Sequence, residues 1–272
     1  MWQKINPVGV EELENTRIHL HKALQLVGSA SRSYLPFNKG DNHKYLIWKP
    51  DKHMFISKPF GHDKAFCLSL DINQYVLSII EKDGAIEHLV LSGMTYQLAF
   101  GWIQVKLDKF GLDPVLFSDQ APYEIKDYGF DSNKELHIYE HASEEICKYF
   151  NNASSYFEFF LNNYELKSPV LCDPQSFNLF VSIKLPETSK KIQIGFCPGD
   201  ENYIEPYYYI KLSHNIKSTS GLPELSRGLW HNKGWSGALI LYSDITNIET
   251  EKEFAITRDF FEEALKAIND ID

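Results

Sequence analysis

The spacing of hydrophobic positions changes several times along the chain, and each change marks an element. Over residues 11–32, Leu13, Ile18, Leu20, Leu24 and Val27 recur at helical intervals, with Pro36 beyond the end. Short apolar stretches follow at 45–48, 54–57, 66–71, 75–80 and 86–91, some of them alternating, and they predict strands. Turn residues separate them: Lys49-Pro50-Asp51-Lys52, Pro59-Phe60-Gly61, Ile72-Asn73-Gln74 and the hairpin signal Asp83-Gly84. Residues 95–110 predict a second helix, stopped by Gly111 and Pro114.

Residues 117–139 are poorly patterned and rich in Asp, Pro and Gly, so they read as a connection. Ser143 is the expected N-cap of a third helix that runs to about Tyr164, with Glu144 and Glu145 in its first turn, where the dipole favours acids. Strands return at 177–185, 191–197, 207–212 and 237–242, and a closing helix at 251–268. The long loop 213–236 carries Trp230, His231 and Trp235, a content that favours function over mere linkage. Runs of hairpins flanked by helices predict an α+β fold, because the spacers are too short for parallel crossovers. The expected organisation is one compact unit, 1–272, whose halves 1–116 and 140–272 share a layout of helix, strands, helix and are joined by 117–139.

Composition narrows the function. The 272 residues carry 27 basic and 37 acidic side chains, a net charge of −10, with no Lys/Arg-rich block. Phosphate backbones and anionic lipid repel such a chain, so neither nucleic acid nor a membrane surface is an expected partner. No apolar run approaches the roughly 18 residues of a membrane helix, and the start, MWQKINPVGVEELEN, lacks the apolar core of a signal peptide. Cys67, Cys147, Cys172 and Cys197 are widely spaced, so reduced thiols in a cytoplasm are expected. Aromatic residues make up 14%, enough for some to line a cavity or an interface.

Few stretches carry recognisable chemistry. His137-Ile138-Tyr139-Glu140-His141 matches the inverted zinc-protease pattern, which needs both imidazoles on one helix face. With the helix starting at Ser143 the motif falls on a strand or loop, so a surface connection is expected there and no metal. His21 and Gln25, one turn apart, share a helix face and can offer a ring and an amide either to a pocket or to the edge of the core. Asp200, Glu201 and Glu205 precede Tyr207 and Tyr209, which share a strand face while Tyr208 points away. That cluster suits polar-ligand binding or acid/base work, and equally a solvated hairpin tip. No phosphate loop, dinucleotide fingerprint or nucleophile elbow occurs, and no cofactor is expected.

Three segments together resemble a bacterial family catalogued as a domain of unknown function. They are Leu20-His21, Gln25 and Val27-Gly28 in the opening helix; Ser168-Pro169-Val170 followed by Ser176-Phe177-Asn178-Leu179; and Gly195-Phe196-Cys197-Pro198-Gly199 followed by Pro206-Tyr207-Tyr208-Tyr209. Many family members have His after Ser-Pro-Val, Asp after Ser-Phe, and His-Glu before the Gly-Phe turn. This chain has Leu171, Asn178 and Ser189-Lys190 there, so any chemistry the family performs at those positions is missing. The leading expectation is a soluble cytoplasmic protein that binds a small polar molecule in an aromatic-lined cleft between its halves. Its candidate contacts are His21, Gln25, Glu205, Tyr207, Tyr209 and Trp230. Two other readings stand beside it: a hydrolase-like enzyme using the acids of loop 200–205, and a structural protein whose aromatics cover an oligomer interface.

Overall fold

The computed structural model describes residues 2–36, 43–61, 64–81, 84–120, 131, 133–185, 188, 190–213, 221–246 and 249–270. They form four α-helices and two antiparallel sheets of five and six strands, an α+β fold. The chain divides into two packed units. The N-terminal unit holds Val8–Cys147 and Leu171–Phe177; the C-terminal unit holds Met1–Pro7, Lys148–Val170 and Asn178–Asp272.

In the N-terminal unit, α1 (Val10–Tyr34) leads into β1 (Ile47–Lys49), β2 (Met54–Ile56), β3 (Cys67–Asp71), β4 (Val76–Glu81) and β5 (Gly84–Val90). Each strand pairs antiparallel with the one before it, giving a sheet in sequence order. Helix α1 lies against β2 and β3. Leu20, Leu24, Val27, Phe55, Leu68 and Leu70 are fully buried, and removing such side chains from water is the main drive for this packing. Helix α2 (Tyr96–Lys109) starts where the Thr95 hydroxyl accepts a bond from the Leu98 N–H, and Gly111, at φ +77°, follows its end.

A late excursion completes this unit. Strand β6 (Leu171–Asp173) exchanges two backbone hydrogen bonds between Cys172 and Leu46, of 2.8 and 2.9 Å. A turn follows, closed by Phe177 N–H on the Asp173 carbonyl. Pro174 at this turn presses on α1 so closely that a Cβ at Gly28 would lie 3.1 Å from its ring, which explains the small residue there.

Helix α3 (Glu140–Asn163) begins earlier than the expected N-cap at Ser143. Ser143 is fully buried, and its hydroxyl donates to the Ile72 carbonyl while its N–H bonds the Tyr139 carbonyl. Tertiary demand for that hydroxyl outweighs its capping preference. Of the expected connection 117–139, residues 121–130 and 132 lie outside the described ones.

The C-terminal unit contributes β7 (Asn178–Lys184), β8 (Lys191–Cys197), β9 (Tyr207–Leu212), β10 (Leu229–His231) and β11 (Gly237–Leu241), then α4 (Thr250–Asn269). Their order in the sheet is β10-β11-β9-β8-β7. Strand β10 lies inside the segment expected to be a loop. Alternation along β9 separates its tyrosines: Tyr208 packs on Phe196 and Phe261, with ring centroids at 5.3 and 6.2 Å, whereas Tyr207 and Tyr209 cluster with Cys197 and Leu239. Much of the aromatic surplus is core: Tyr75, Tyr156, Tyr208, Tyr242, Phe150, Phe157, Phe196 and Phe260 are almost wholly buried. No described helix is long and apolar enough to cross a membrane.

Candidate functional site

The candidate residues from the sequence fall in both units: His21 and Gln25 in the N-terminal one, Glu205, Tyr207, Tyr209 and Trp230 in the C-terminal one. His21 and Gln25 converge on a single backbone carbonyl. His21 Nε2–H donates to Pro174 O at 2.9 Å, and the Gln25 amide donates to the same oxygen. The His21 ring stacks on Phe177, with centroids 5.5 Å apart and planes 11° apart. Burial lowers the His21 pKa to about 4, opposed by the Pro174 bond and reinforced by the charges of Arg17 and Lys22. The ring is therefore a neutral imidazole with its proton on Nε2, and both side chains are committed to holding the 171–177 excursion on α1.

The tyrosine face of the C-terminal unit is likewise bonded to itself. Tyr207 donates to Asp200 Oδ2 at 2.7 Å, and Asp200 Oδ1 accepts the N–H groups of Asn202 and Tyr203. Burial, then the neighbouring Cys197 and Asp200, pushes the Tyr207 hydroxyl pKa upward. Tyr209 donates to Gln193 Oε1 at 3.2 Å. Glu205 accepts the Ser243 N–H at 2.9 Å, and the Trp230 indole donates to Pro223 O at 2.8 Å. So Tyr207 and Tyr209 come together with Asp200, while Glu205 and Trp230 hold other loops. Three side chains outside the candidate set, those of Tyr203, His231 and Trp235, join the cluster. Tyr203 donates to His231 Nδ1 at 3.0 Å, His231 Nε2–H donates to Lys233 O at 2.8 Å, and His231 stacks on Trp235 at 4.2 Å. The two bonds fix the His231 tautomer. No sequence motif signals the Tyr203–His231 pair, which joins the loop before β9 to the end of β10.

An open concavity lies in the N-terminal unit; another, of about 590 Å³, lies along the end of α3 in the C-terminal unit and holds none of the candidate residues. A pocket of about 620 Å³ is lined by Asn73, Gln74 and Tyr75 before β4, Ser92 after β5, and residues 137–141 with Glu144 at the start of α3. The Asx turn in which Asp71 Oδ1 accepts the N–H groups of Asn73 and Gln74 shapes one wall. Tyr75 holds φ +54°, a conformation uncommon outside glycine, and its hydroxyl reaches His19 O at 3.2 Å. The opposite wall is pinned through its backbone: the His137 N–H donates to His19 Nδ1 at 3.1 Å and the Tyr139 N–H to Thr16 Oγ1 at 3.1 Å. Burial, then His137, lowers the His19 pKa. Tyr139 is 37% exposed, and its ring lies between two imidazoles, 5.4 Å from His137 and 6.1 Å from His141.

The His-x-x-Glu-His stretch, an exposed connection into α3 as expected, lines this pocket. Residues 137–139 are not helical, while Glu140 and His141 form the first turn of α3, so the imidazoles are not arrayed on one helix face. His141 Nε2 instead meets Glu12 Oε2 at 3.1 Å. Among the described residues no group of three or more His, Cys, Asp or Glu is placed to hold a metal ion. No family model matches the chain, and no curated protein or solved structure matches it either.

Proposed function

We propose that the protein binds a small polar molecule, and that the pocket between the Asn73-Gln74-Tyr75 turn and the start of α3 is where it does so. The observation that carries this is the joint presence of a concavity and a polar, aromatic lining. About 620 Å³ is within the range of small-molecule sites, and its walls bring two side-chain amides, a hydroxyl, two imidazoles and an exposed tyrosine to one place. The tyrosine cluster of the C-terminal unit supports binding less well, because its polar groups are already bonded: Tyr207 to Asp200, Tyr209 to Gln193, and His231 to Tyr203 and the Lys233 carbonyl. We place the protein in a cytoplasm and group it with the bacterial family its motifs resemble.

The experiment is a small-molecule screen on the isotopically labelled full chain. Binders are expected to move the amide signals of Gln74, Ser92 and Tyr139, and Ser92→Trp, which fills the pocket mouth, is expected to abolish the shifts. Binders that leave those three signals unmoved would overturn the assignment.

A further inference from the structure

We infer that the ligand of this pocket is an organic cation carrying one or more ammonium groups, an inference that rests on the binding reading above. Charge selects the class. The lining holds two carboxylates, Glu140 and Glu144, and no Lys or Arg among its described residues. The two acids stand four apart on α3, hence one above the other on one face, where like charges repel. Glu140 gains from the positive end of the helix, but Glu144 lies a turn further in, where that field has faded. Neither acid is drawn into an ion pair with the described residues.

The walls also suit a cation in shape and hydration. An ammonium group accepts stabilisation from the negative face of an aromatic ring, and Tyr139 presents an exposed ring whose backbone is fixed on both sides. Asn73 and Gln74 add amide oxygens, and Ser92 a hydroxyl, all acceptors for N–H donors. An anion would find donors there too, but would have to approach two unneutralised carboxylates.

Calorimetric titration of the full chain with 1,4-diaminobutane, succinate and glycerol tests this. The diamine is expected to bind at least tenfold more tightly than either other probe. Its affinity is expected to fall at least tenfold in the E140Q/E144Q variant and to weaken as salt rises. Circular dichroism of that variant should match the wild type, since both positions are exposed. Succinate binding as tightly as the diamine, or diamine affinity unchanged in E140Q/E144Q, would overturn the cation class. In the first of those cases, succinate binding lost in Ser92→Trp would leave the pocket itself standing. Absence of diamine binding at millimolar concentration would also overturn the class.

Discussion

The ring of Tyr209 lies across Gly195, the residue opposite it on β8: a Cβ on Gly195 would come 2.3 Å from Tyr209 Cζ and 2.4 Å from its hydroxyl oxygen. An aromatic ring covering a glycine from the neighbouring strand closes a gap in the sheet surface that no other side chain could share. Gly195→Ala should therefore cost about 1–3 kcal/mol by overpacking. Urea unfolding of the variant measures it, and an unchanged midpoint would show that the ring swings aside freely.

Acid should loosen the protein through His21. Its folded pKa is about 4, against about 6.5 for an ordinary histidine. A depressed pKa means the unfolded chain takes up the proton first, so the stability this ring contributes is present above pH 6.5 and is lost as pH falls through 4. The difference corresponds to roughly 3 kcal/mol. Unfolding free energy measured from pH 7 to pH 4 should decline along this course in the wild type and less steeply in His21→Gln. Equal slopes would assign the acid sensitivity to other groups.

Much of the architecture is legible in the sequence, and particular residues show why. Thr95 and Gly111 bracket α2 as expected because capping chemistry is local. The helical spacing of Leu20, Leu24 and Val27 survives folding because all three face the interior. Ser143 misled because its hydroxyl serves a carbonyl 71 positions away, which no local rule anticipates. Strands β6 and β10 span three residues each, too short for alternation to register. The pocket was only half visible: residues 137–141 stood out as a motif, but Asn73, Gln74 and Ser92 reach them only through tertiary folding.

Asp200 and Tyr207 should prove energetically coupled. Asp200→Ala strands the Tyr207 hydroxyl and two loop N–H groups, at a cost of about 1–3 kcal/mol. In a Tyr207→Phe background the same change should cost less, and the double-mutant cycle should return a coupling of about 0.5–3 kcal/mol. A coupling of zero would mean that the carboxylate serves its loop alone.

Thiol reactivity should sort by burial. Cys147, Cys172 and Cys197 are buried and Cys67 is half-buried, with burial raising the Cys67 pKa as well. Iodoacetamide at pH 8 should modify Cys67 slowly and the other three only after unfolding. Mass spectrometry of timed samples reads this out, and early modification of Cys197 would contradict the closed tyrosine cluster.

The carbonyl that His21 and Gln25 share belongs to a residue made long after they are. A ribosome must deliver the chain past Phe177 before α1 meets the turn that shields its inner histidine, so the N-terminal unit cannot mature while its own 8–147 stretch is all that has emerged. A gene fragment ending at Cys147 would thus encode a domain with its closing piece withheld, and adding a synthetic peptide of residues 171–177 is the direct way to ask whether that piece can be supplied separately.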